Sequence, residues 1–123
     1  MSIPVELAAL EGVDGRMTMD GLARVFLWGG KADGWVKNMR TPGVGLMELE
    51  SAVVEKPRFG KPRFVMNGKN GTISIRIRPE QEQAAWLFAA HAWLVQNEIW
   101  GGSGRPEARQ REQDARQRAE ACR

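Results

Sequence analysis

The stretch Thr72-Ile73-Ser74-Ile75-Arg76-Ile77-Arg78 constrains this chain more than any other, because its alternation leaves only one local structure open. Ile73, Ile75 and Ile77 share one face of an extended strand, and Thr72, Ser74, Arg76 and Arg78 share the other. One face is therefore core and the other wet and basic. Just upstream, Arg63-Phe64-Val65-Met66 leads into Asn67-Gly68-Lys69-Asn70-Gly71. Two Asn-Gly pairs supply the positive φ angles of a tight turn, so residues 63–78 are expected to form a β-hairpin.

A helix follows directly. Pro79 suits a first turn, and Glu80 and Glu82 favour the positive end of the helix dipole. The middle of the segment, residues 84–95, is apolar nearly all round, so a helix over 80–100 is expected to be buried on more than one side and to cover the isoleucines. Trp86, Trp93 and Trp100 recur every seven residues along it. Residues 46–54 alternate and read as a further strand. Ahead of them the signals are shorter. Ser2 and Pro4 suggest a helix over 5–11, stopped by Gly12. Thr18 is a candidate N-cap for a second helix through Trp28, with a strand over 23–28 as the competing reading. Residues 35–40 suit a helical turn.

These elements give an α+β domain, with short N-terminal helices and a small antiparallel sheet of about three strands packed on one long buried helix. A winged-helix arrangement, with the hairpin as wing, is the alternative. The 123 residues suit one domain, expected over 1–100. Gly101-Gly102-Ser103-Gly104 opens a flexible linker over 101–106. Residues 107–123 offer only alanines and one Cys as apolar groups, and carry Glu107–Arg111, Glu112–Arg116 and Asp114–Arg118 at i,i+4. That tail is expected to be helix-prone or disordered, with nothing to bury.

Chemistry is sparse. His91 and Cys122 are the lone residues of their kinds and match no zinc spacing. His91 falls inside the apolar helix and reads as a core or core-rim histidine. No nucleophile pairs with a base, so no catalytic residue, metal or cofactor is expected. No apolar run reaches the roughly 20 residues of a membrane span. The start lacks the basic and apolar regions of a secretory signal, and a single Cys forms no intrachain disulfide. A cytoplasmic protein with no membrane contact is the expectation.

The charge distribution is the strongest functional signal. Residues 1–55 carry five basic and eight acidic side chains, while residues 56–78 carry seven basic side chains and no acid. Within that stretch lies a tandem repeat, Lys56-Pro57-Arg58-Phe59-Gly60-Lys61-Pro62-Arg63-Phe64. Proline keeps each unit extended, cations neutralise phosphates with release of counterions, and phenylalanine rings stack on unpaired bases. The expected partner is nucleic acid or a nucleoprotein complex. Lys56, Arg58, Lys61, Arg63, Lys69, Arg76 and Arg78 would contact phosphate, with Phe59 and Phe64 as stackers. A plainer reading stands beside it: the rings anchor a loop to the core, and the cations keep a sheet edge from pairing. A second functional reading is a protein-binding inhibitor or adaptor, of the kind small phage genes encode against host machinery, anti-CRISPR proteins included. It rests on small size and lack of catalytic chemistry.

The segment Trp28-Gly29-Gly30-Lys31-Ala32-Asp33-Gly34-Trp35-Val36-Lys37-Asn38-Met39-Arg40 resembles a cofactor-contacting stretch of deazaflavin-dependent oxidoreductases, which are small split-barrel proteins. The resemblance covers about a tenth of the chain. It implies, as a third reading, a split-barrel enzyme with a flavin-like ligand visible in absorbance. The basic glycine turn that such proteins carry upstream has no counterpart in residues 1–27, so no residue role is carried over.

Overall fold

The computed structural model describes residues 8–21, 23–99 and 106–122. The chain is α+β, with two four-stranded antiparallel sheets and two α-helices. The first sheet runs β1 (Ala8–Glu11), β2 (Gly15–Met19), β3 (Arg24–Gly29), β5 (Gly43–Gly45). The second runs β4 (Lys31–Gly34), β8 (Gly71–Arg76), β7 (Arg63–Gly68), β6 (Leu49–Glu55). Helix α1 (Glu82–Ile99) and helix α2 (Pro106–Ala121) complete the fold. The two sheets share one core. Met17, Val25 and Leu27 come from the first, Phe64, Met66, Ile73 and Ile75 from the second, and Ala85, Phe88 and Ala89 from α1.

The chain changes sheets at Gly29-Gly30, where β3 turns into β4. Gly30 has φ 62°, and a Cβ there would lie 2.4 Å from the Ser74 carbonyl oxygen, so only glycine makes this corner without strain. Short 3-10 turns at Trp35–Asn38, Leu46–Glu48 and Pro79–Gln81 join later elements.

The expected hairpin forms, with Phe64 opposite Ile75 and Met66 opposite Ile73. Ile73, Ile75 and Ile77 are fully buried. Its turn matches expectation only in part. Lys69-Asn70 connects the paired Gly68 and Gly71, and neither residue has positive φ; Gly71 carries it instead, at 151°. Tertiary bonds hold the turn. The Lys69 backbone N–H donates to the Glu48 carbonyl (3.1 Å), and the Asn70 carbonyl accepts from the Trp35 N–H (2.8 Å).

The N-terminal half corrects the sequence reading. Residues expected as helix form strands β1 to β3, with β3 bearing out the competing strand reading of 23–28, and no α-helix precedes the hairpin among the described residues, which removes the winged-helix alternative. Residues 5–7 of the first expected helix, and Leu22 of the second, lie outside the described residues. Val25 and Leu27 point inward while Phe26 and Trp28 point out, a period of two that a helical count of the same residues hides. Thr18 does not cap a helix. It lies opposite Phe26 on β2, and its Oγ1 accepts a bond from the Trp28 indole N–H at 3.0 Å.

Helix α1 is buried on two sides, as its composition requires. Phe88 meets Phe64 edge to face (5.9 Å, 89°). Gln96 is buried there and donates to the Leu46 and Leu49 carbonyls (2.6 and 3.2 Å). On its other side lies α2. The expectation that the tail has nothing to bury fails: Ala108, Ala115 and Ala119 are buried. Arg111 stacks over Trp93 and Arg118 over Trp86, each at 5.0 Å, and Gln83 donates to the Ala119 carbonyl. Alanines let the helix axes approach, and arginine stems and guanidinium planes supply the apolar cover that the tail lacks in aliphatic residues. The glycine-rich residues 101–105 lie outside the described residues, as does Trp100.

Candidate nucleic-acid interface

Alternation sets which side chains face outward on the second sheet. Since Ala32, Ile73, Met66 and Ala52 lie opposite one another facing the core, the next positions, Lys31, Ser74, Val65 and Val53, form an outer row. The row beyond holds Arg76, Arg63 and Glu55. The hairpin therefore ends with two arginines side by side on a solvent face. The loop over 56–62, which joins β6 to β7, folds beside them.

Lys56, Phe59, Lys61, Arg63 and Arg76 line one open cleft of about 550 Å³, together with Glu55, Pro57 and Gly60. Phe59 is 87% exposed at its rim. Arg63 is anchored rather than free. Its Nε donates to Ser74 Oγ at 2.9 Å, and one of its terminal nitrogens lies 3.9 Å from Asp14 Oδ2. Asp14 belongs to the β1–β2 turn, which docks on the end of β8: the Val13 N–H donates to the Arg76 carbonyl, and Asp14 Oδ1 accepts from the Arg76 N–H, both at 2.7 Å. Lys56 pairs with Glu82 at the start of α1 (3.1 Å). The Arg63–Asp14 pair is long and partly exposed, a class worth about 0–1 kcal/mol, so an incoming phosphate competes with it at small cost. The Glu82 side chain is only 14% exposed, and Lys56 is held there by a carboxylate that would be left buried and unpaired without it.

The other expected site residues are not part of this cleft. Phe64 is fully buried against Phe88 and cannot stack on a base; the second half of the tandem repeat enters β7, where its ring falls on the inward side. Lys69 sits at the opposite tip of the hairpin, roughly 17 Å away for five residues of strand. Arg78 lies past the end of β8, where its backbone N–H donates to Gln81 Oε1 at 2.8 Å. Arg58 is exposed in the loop without lining the cleft. Asp14 is the participant that sequence reasoning missed. A Val-Asp-Gly turn signals only a turn, and nothing local points to a strand 62 residues later.

Elsewhere, His91 is half-buried on α1 and Cys122 is exposed at the end of α2. Among the described residues, no three His, Cys, Asp or Glu side chains group to hold a metal ion, and no helix is long and apolar enough to cross a membrane. Comparison of the chain with protein-family models, with curated proteins and with solved structures finds no match.

Proposed function

We propose that this chain is a non-enzymatic accessory protein that binds nucleic acid, free or within a nucleoprotein complex, through the cleft between the 56–62 loop and the arginine end of the hairpin. The observation that supports this reading is the convergence of Lys56, Lys61, Arg63 and Arg76 in one cleft with an exposed aromatic ring. The cations meet phosphates, and Phe59 offers an unoccupied face to a base. Arg63, fixed by Ser74 and Asp14, is held ready with little rotamer entropy left to lose.

The test is fluorescence anisotropy with labelled oligonucleotides between 50 and 200 mM salt. Three phosphate contacts, by Lys61, Arg63 and Arg76 with Lys56 kept on Glu82, predict a slope of log K against log [salt] of about −2 to −3. The double variant Lys61→Glu/Arg76→Glu should abolish binding. No binding at the lowest salt, or binding indifferent to that variant, removes the reading.

A protein-binding adaptor is the second reading, and a separate observation favours it. A cleft of about 580 Å³ opens beside the hairpin tip, with Val36, Met39, Val44, Met47 and Ile99 among its lining and Arg24 and Glu48 at its margins. Pull-down from lysate with and without nuclease separates the two. A partner lost on nuclease treatment favours the first reading, and a nuclease-resistant stoichiometric complex favours the second.

A further inference from the structure

A second aromatic feature lies on the outer face of the first sheet. Trp28 is 49% exposed and sits opposite Arg16 in the β2–β3 register. Two residues back on the same face is Phe26, opposite Thr18, with the Arg24 guanidinium 5.7 Å from its ring centre. The two rings cover Thr18, which is only 8% exposed. Because Thr18 Oγ1 takes the indole N–H, the donor edge of Trp28 is already satisfied. What Trp28 offers to solvent is a π-face without a free hydrogen-bond donor.

Trp28 lies opposite Arg16, two residues from the Asp14 that contacts Arg63 and the Arg76 N–H, so its strand end stands near the basic cleft. Three residues after Trp28 the chain has turned the Gly29-Gly30 corner and reached Lys31, which lies opposite Ser74. Ser74 accepts from Arg63, and Arg63 lies opposite Arg76. Trp28, Lys31, Arg63 and Arg76 thus form a path on the order of 20 Å by strand rise and strand spacing, with Phe59 at its far end. The acidic groups along it are Glu11, 3.7 Å from Arg16, and Asp14, beside Arg63; Asp33 stands on the same face as Lys31, further down β4. Glu55, opposite Arg63 in the cleft, is a further one, so cations and carboxylates are close to balanced along the path and the rings rather than net charge set it apart.

We infer that Trp28 is a base-stacking platform continuous with the cleft, and that the ligand of the whole surface is single-stranded nucleic acid read with little sequence preference. This rests on the reading proposed above and narrows it. Bases paired in a duplex present no free face, whereas unpaired bases stack on any aromatic ring regardless of identity. A path bracketed by two rings suits the short footprints of such grooves, about 4–16 nucleotides. A satisfied indole N–H removes the one group through which Trp28 would have chosen among bases.

The experiment compares three probes on the full chain: a 12-nucleotide oligo-dT, a blunt 12-base-pair duplex, and inorganic polyphosphate, which has charge but nothing to stack. The wild-type chain should bind oligo-dT more tightly than the duplex. Trp28→Ala should weaken oligo-dT binding about 5- to 150-fold, the equivalent of about 1–3 kcal/mol for one stacked base, and leave polyphosphate binding unchanged. Trp28→Phe should keep most of the affinity. Arg16→Glu, which sets a like charge opposite Glu11 and so should cost up to about 1 kcal/mol of stability, should weaken oligo-dT binding in a chain that urea unfolding shows to be folded under the binding conditions. Preference for the duplex, or oligo-dT binding indifferent to both Trp28→Ala and Arg16→Glu, overturns the stacking platform and leaves the basic cleft standing. Failure of the wild-type chain to bind either nucleic acid overturns the reading beneath it as well.

Discussion

Phe59 and Phe64 close the two units of one tandem repeat, yet truncating them should have opposite consequences. Phe64 is 0% exposed on β7, between Val54 and Ile75 of the neighbouring strands, and meets Phe88 edge to face. Phe64→Ala removes a buried ring and leaves a cavity that a central strand cannot close, at a cost of about 3–5 kcal/mol. Loss of the aromatic pair lies within that range, since such pairs contribute about 0.5–1.5 kcal/mol. Domains of this size have about 5–15 kcal/mol of stability in all, so the loss is a large share. Phe59, standing in solvent, has no such contacts, and Phe59→Ala should change stability by less than about 0.5 kcal/mol. Urea unfolding followed by tryptophan fluorescence reads both. With a slope of about 1.5 kcal/mol/M, Phe64→Ala should lower the midpoint by about 2–3 M, while Phe59→Ala leaves it in place. In oligonucleotide binding the order reverses, with Phe59→Ala weakened and folded Phe64→Ala close to wild type. A Phe64→Ala cost below about 1 kcal/mol, or a Phe59→Ala cost above it, would refute the assignment of one ring to the core and the other to the surface.

Three further predictions concern the frame that carries the site. Gly30→Ala should cost at least about 1–2 kcal/mol, because it places a Cβ in left-handed backbone against the Ser74 carbonyl; calorimetry should show a melting temperature lower by about 5 °C or more. Gln96→Leu keeps the volume but removes the side-chain donor to the Leu46 and Leu49 carbonyls. Leu46's still accepts from the Leu49 N–H, so the loss falls on the Leu49 carbonyl, about 1–3 kcal/mol is expected in denaturant unfolding, and an unchanged midpoint would show that this carbonyl finds another partner. Ala115→Glu should free α2 from α1 and speed tryptic cleavage after Arg111 and Arg116, whereas Ala121→Glu, on the exposed side, should leave cleavage slow.

The correct and incorrect sequence expectations divide along a physical line. The hairpin, the long apolar helix and the strand near residue 50 were legible because each carries a periodic pattern longer than its own ambiguity. Residues 15–29 were legible only in part, since the strand over 23–28 stood second to a helix. Val25, Phe26, Leu27 and Trp28 are apolar without interruption, and since two of them face solvent, hydrophobicity could not report which way each pointed. The tail was misjudged for a different reason. Its alanines count as nothing in a search for large apolar groups, yet where α2 lies along α1 a small side chain is what close packing needs, and arginines cover Trp86 and Trp93.

The candidate site divides in the same way. Local pattern alone determined that positive charge gathers in residues 56–78 and that Arg76 shares a strand face opposite the isoleucines, because charge and strand alternation are properties of neighbours in the chain. It could not determine which cations meet. Tertiary structure buried Phe64, carried Lys69 to the far tip of the hairpin, fastened Arg63 and the Arg76 backbone to Asp14, and brought Lys31 round a glycine corner to lie opposite Ser74. Those outcomes depend on strand order and register between segments tens of residues apart, which short-range spacing does not encode.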